Sequence, residues 1–127
     1  MKLIKNTNVG EIIALVFDIL LNLKSSSDVL RFSSRIISLK KDFEFFIETF
    51  ISILRDIISY RNKCDISFKN YKDYYEVLSK IYTNEMIEKI IKKICLIANK
   101  MEFNCNLTGV IDKFLLDVLE VKFLCQR

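Results

Sequence analysis

The chain has 127 residues, 51% of them hydrophobic and 28% charged, and its 20 Lys and Arg against 16 Asp and Glu leave a formal charge of +4. A chain of this length buries one core without a disulfide or metal staple, and its apolar content lies far from the disordered class. It has no His, no Pro, no Trp and only two Gly, which excludes the Ser-His-Asp triad, the Cys-His dyad, imidazole metal sites and Gly-rich phosphate loops.

With no Pro and almost no Gly, nothing punctuates strands or tight hairpins, and the apolar residues recur at helical spacing. The pattern predicts an all-α fold: a single compact bundle of about six largely antiparallel helices over residues 1–127. The first helix is expected from Val9 to Lys24, with Asn8 and Glu11 as a capping box. Its polar residues Glu11, Asp18 and Asn22 form one narrow stripe. A helix apolar on nearly all sides belongs at the centre of a bundle or against a partner. The second helix starts at the Ser25-Ser26-Ser27-Asp28 cluster, a strong N-cap signal, and runs to about Leu39. Lys40 and Lys41 follow at the end favourable to the helix dipole.

The third helix is expected from Asp42 to Arg61. Phe43, Phe46, Ile47, Phe50, Ile53, Leu54, Ile57 and Ile58 share one face, and Glu44, Glu48, Ser52, Arg55 and Ser59 the other. Phe45 falls among polar positions beside Thr49 and Asp56. It is a candidate contact for another subunit, or a residue covered by a neighbouring helix. Asn62 to Lys69 reads as a loop, and Asn70 with Asp73 as the cap of a fourth helix over Tyr71 to Tyr82. Thr83 and Asn84 punctuate before a fifth helix ending near Met101. Its stripe is Met86, Ile87, Ile90, Ile91, Ile94, Cys95, Ala98 and Met101, backed by the ion pairs Glu85–Lys89 and Glu88–Lys92. A turn over Phe103 to Asn106 leads into a sixth helix to about Leu124, with Ile111, Leu115, Val118 and Leu119 inward. Short connections predict that helices adjacent in sequence pack as neighbours.

Positive charge is interleaved with acids along the chain, not concentrated on a stripe. That argues against a dedicated nucleic-acid surface. Cys64, Cys95, Cys105 and Cys125 form no Cys-x-x-Cys pair and read as free, mostly buried thiols of a reducing cytoplasm. Glu11, Asp18 and Asn22 interrupt the first apolar run, so neither a signal peptide nor a membrane span is expected. Glu44 and Glu48 sit one turn apart on a solvated face, and no Ser lies in a Gly-x-Ser-x-Gly elbow. No active site, metal site or cofactor is expected.

Two local patterns stand out. Leu54-Arg55-Asp56-Ile57-Ile58 places adjacent opposite charges in an apolar helix. Adjacent side chains point about 100° apart, so Arg55 and Asp56 must reach different neighbours, as in a helix–helix ion pair. Asn104-Cys105-Asn106-Leu107 puts two Asn before the last helix, where Asn suits turns and N-caps.

Asn8-Val9-Gly10, then Leu54-Arg55-Asp56-Ile57-Ile58, then Asn104-Cys105-Asn106-Leu107 followed by Leu115-Leu116, resemble in order and spacing the C-terminal domain of the bacterial DNA polymerase III δ′ subunit, of the clamp-loader family. The likeness spans roughly residues 8 to 124. It implies a non-catalytic helical collar domain, one of five that pack in a ring, with the clamp-loader ATPase subunits and δ as partners. DNA would be met only indirectly, through the assembled complex. The family's ATPase-like and lid modules, its zinc module and its trans-acting arginine lie in N-terminal domains that the 127 residues do not contain, so no cofactor is implied. For Arg55, Asp56, Asn104 and Asn106 the resemblance implies support within the domain or collar contact. A stand-alone helical adaptor and a nucleic-acid-binding regulator are the alternatives.

Overall fold

The computed structural model describes residues 6–101 and 107–125. Among them are six α-helices and no strand: α1 Asn6–Asn22, α2 Ser26–Ser38, α3 Phe43–Arg61, α4 Lys72–Ile81, α5 Asn84–Met101 and α6 Leu107–Cys125. Short 3-10 turns, Lys40–Asp42 and Lys69–Tyr71, lead into α3 and α4. The fold is all-α, as the periodicity predicts.

The helix starts follow local chemistry where a side chain can satisfy the orphan N–H groups. Before α2, the Asp28 carboxylate accepts the backbone N–H groups of Lys24 at 3.0 Å and Ser25 at 3.1 Å. These bonds, the Lys24 one foremost, together with Arg31, hold the Asp28 carboxyl down to about 2. Before α5, the Thr83 hydroxyl accepts the Met86 N–H at 3.1 Å. Two expected caps are corrected. Asn8 lies inside α1, and Asn70 lies inside the 3-10 turn before α4. The helical pattern continues N-terminal of Asn8, and the turn at Lys69–Tyr71 moves the start of α4 past Asn70.

α1 is the centre of the bundle. Ile12, Ile13, Leu15, Val16, Phe17, Ile19 and Leu20 are all buried, with Leu23 just beyond the helix end. α2, α3 and α4 pack against it. Phe17 stacks on Tyr71 at 4.6 Å and meets Tyr75 edge-on at 5.3 Å, which joins α1 to α4. A second aromatic row, Phe46, Phe50 and Phe114, joins α3 to α6. Side chains from all six helices form one core. Truncating a fully buried member such as Leu20 or Ile53 to Ala costs about 2–5 kcal/mol.

The packing order differs from the chain order. α3–α4 and α5–α6 are neighbours in both, but α2 takes α6 as its broad partner and α3 also packs on α1 and α5. A central helix that is apolar nearly all round needs cover from several directions, and sequence-adjacent hairpins alone cannot supply it.

Candidate interaction surface

Arg55 and Asp56 part company as their 100° offset requires, but not into an ion pair. Arg55 is exposed, while Asp56 is buried at the α3–α4 boundary. Its carboxylate accepts the Tyr75 hydroxyl at 2.7 Å, the Ser67 backbone N–H at 2.9 Å and the Ser67 hydroxyl at 3.3 Å. One carboxylate therefore ties α3 to α4 and pins the intervening loop. Burial and the Asp56 hydrogen bond push the Tyr75 hydroxyl well above the ordinary tyrosine value.

Phe45 is half-buried and packs against the core, and its flanking positions Thr49 and Asp56 are buried too. The polar face of α3 is thus narrower than the pattern suggests, and at Asp56 the cover comes from Tyr75 of α4. Asn104 and Asn106 lie outside the described residues. Cys64 and Cys95 are exposed, which corrects the expectation of buried thiols for these two, and Cys105 lies outside the described residues. Cys95 follows buried Ile94 by one residue, about 100° round the helix, and so leaves the stripe.

The C-terminal end of α1 holds two residues that the sequence pattern left unassigned. The Tyr82 hydroxyl donates to the Leu20 carbonyl at 2.7 Å, and the Lys122 ammonium donates to the Leu23 carbonyl at 2.7 Å. Both side chains are buried, and the ammonium sits 5.6 Å from the centre of the Tyr82 ring. Burial lowers the Lys122 ammonium to about 8, with the Lys24 charge acting in the same direction. Burial pushes the Tyr82 hydroxyl well up. Lys122 lies four residues after Val118 and seven after Leu115, so its place on the inward stripe was there to be read.

Apolar side chains that point outward are most numerous on α6, with others on α2, on α4 (Tyr74 and Val77) and on α5. Leu96 on α5, and Leu116, Phe123 and Leu124 on α6, are exposed, as is Leu30 on α2. Leu116 and Phe123 stand seven residues apart, two turns along the same outward face of α6. The aliphatic content of α6 therefore exceeds what its inward face needs. Among the described residues no three His, Cys, Asp or Glu side chains group to hold a metal ion, and no helix is long and apolar enough to cross a membrane.

No family model, no curated protein and no solved structure matches the chain.

Proposed function

We propose that this chain is a non-catalytic oligomerisation domain of the replicative clamp-loader kind, similar to the DNA polymerase III δ′ collar. In this reading it acts in the cytoplasm, helps hold the subunit ring that loads the sliding clamp, and meets the ATPase subunits and δ directly and DNA only through them. The ordered motifs from Asn8 to Leu116 and the all-α architecture support the reading. The observation that carries it is the outward apolar row of α6, Leu116, Phe123 and Leu124. Exposed apolar residues on one helix face are what a subunit contact consumes. Arg55, exposed on α3, is a second candidate contact.

The test is co-elution with the clamp-loader ATPase subunit and δ of the same organism, wild type against Leu116→Glu/Phe123→Glu. A buried anchor lost from an interface weakens association by at least about tenfold. The reading expects co-elution for the wild type and its loss in the variant, with helicity and Tm retained. Co-elution unaffected by the variant would exclude this face, and absence of any complex would favour the adaptor reading.

A further inference from the structure

The end of α3, the loop after it and the start of α4 enclose an open cleft of ≈ 770 Å³. That volume suits a small organic ligand. Arg61, Lys63, Lys69 and Lys72 line it, with Asp65 the one carboxylate and Tyr60 and Ile66 among the apolar walls. In sequence this stretch looks balanced, because Asp56, Asp73 and Glu76 accompany the cations. Folding sorts them. Asp56 is turned inward onto Tyr75 and Ser67, Asp73 lines a different groove with Asn70 and Tyr74, and Glu76 does not line the cleft. Arg61 donates to two neutral acceptors, the Asn84 side-chain oxygen at 2.9 Å and the Tyr82 carbonyl at 2.5 Å, so its charge is fixed in place without being cancelled. Among the described residues no ion pair holds Lys63, Lys69 or Lys72.

A second observation points the same way. Lys63 has φ 62°, the left-handed region. The Lys63 N–H bonds the Tyr60 carbonyl at 3.0 Å and the Cys64 N–H bonds the Ser59 carbonyl at 2.8 Å. This is a Schellman turn with Lys63 at the position that usually belongs to Gly. A lysine held there is strained, and this residue lines the cleft.

We propose that this cleft binds a nucleotide-sized organic phosphate, with Lys63, Lys69 and Lys72 holding the phosphate and Tyr60 and Ile66 receiving its apolar body. Arg61 is the positioning residue that fixes the wall between α3 and α5. The ligand is a free nucleotide or one unit of a single strand, which share this chemistry; a strand bound here would replace the indirect DNA contact of the proposed function with a direct one. A cluster of cations over a partly apolar cleft discriminates such a ligand from inorganic ions of equal charge, and its affinity falls with salt.

The test measures binding of two probes to the whole chain: ATP by calorimetry, and a labelled oligo-dT of about ten nucleotides by fluorescence anisotropy. Either probe should bind saturably, and ATP alone, or the strand alone, identifies the source. Lys63→Glu/Lys69→Glu should weaken binding at least about tenfold, as expected for two reversed contacts to phosphate. Bound probe should slow alkylation of Cys64 in the cleft and leave exposed Cys95 unaffected. Lys63→Gly should raise Tm by about 3 °C while weakening binding about threefold. Failure of both probes to bind saturably, binding untouched by the double reversal, or equal protection of Cys64 and Cys95 would each overturn the proposal. A Lys63→Gly variant with a raised Tm and undiminished binding would overturn it as well.

Discussion

The C-terminal ends of α1 and α3 face the same electrostatic problem and meet it in opposite ways. Each leaves backbone carbonyls beyond the last turn and a negative dipole end. α1 has no basic residue in its last turn, and Leu20 and Leu23 at its end are buried. The remedy there comes from far along the chain, with the Tyr82 hydroxyl on Leu20 and the Lys122 ammonium on Leu23. α3 carries Arg61 in its last turn and closes locally through the Schellman turn at Lys63. The first solution consumes a cation inside the core. The second satisfies the carbonyls with backbone and leaves cations on a cleft. A helix end closed by its own backbone thus frees its charges for a ligand, whereas one closed by a distant cation binds the bundle together.

The largest effect should come from loosening the loop behind the α3 end. Asp56→Ala removes the acceptor for Tyr75 and for both Ser67 donors, and should lower stability by about 3 kcal/mol in urea unfolding. A loss under about 1 kcal/mol would show that the loop holds without this carboxylate.

The α1 end should show itself through pH. Lys122 is lowered to about 8 in the folded protein against an ordinary value of 10.5. Below pH 8 both states hold the proton and the burial cost is fully present. Between pH 8 and about 10 the native state sheds its proton first, so stability should rise. The rise should be about 2 kcal/mol after allowance for solvent screening. Above about pH 10 the trend should reverse, because Tyr75 and Tyr82 keep their protons in the fold and lose them when unfolded. Lys122→Met should abolish the rise and keep the fall.

Tyr82→Phe leaves the Leu20 carbonyl buried without its donor and should cost about 1.5 kcal/mol, read by thermal unfolding. At the α3 end the sign should invert: Lys63→Gly relieves the left-handed strain and should stabilise by about 1 kcal/mol.

Much of the fold was legible because it rests on local patterns. The Ser25–Asp28 cluster and Thr83 set the starts of α2 and α5, and the three polar residues of α1 marked it as central. Periodicity names the buried face of a helix but not what lies against it, so the pairing of α2 with α6 was out of reach. The same limit explains the site. Asp56 stood out as a charge in an apolar helix, but its partners Ser67 and Tyr75 come from the next loop and helix, and hydroxyl and amide donors leave no charge pattern. The basic cleft stayed hidden because charge counted along the chain cancels, while Asp56 and Asp73 are turned away from it in space. Lys122 keeps the inward register of α6, but a lysine near a helix end reads as solvated, so its register alone did not mark it as buried.

The central claim is that this bundle is a subunit contact module, and native mass spectrometry of the chain mixed with the clamp-loader ATPase subunit and δ of its own organism tests it most directly. The account predicts a stoichiometric complex that survives moderate salt, as expected where Leu116 and Phe123 contribute more than surface charge. The chain remaining alone, while those partners assemble around a different δ′, would contradict it.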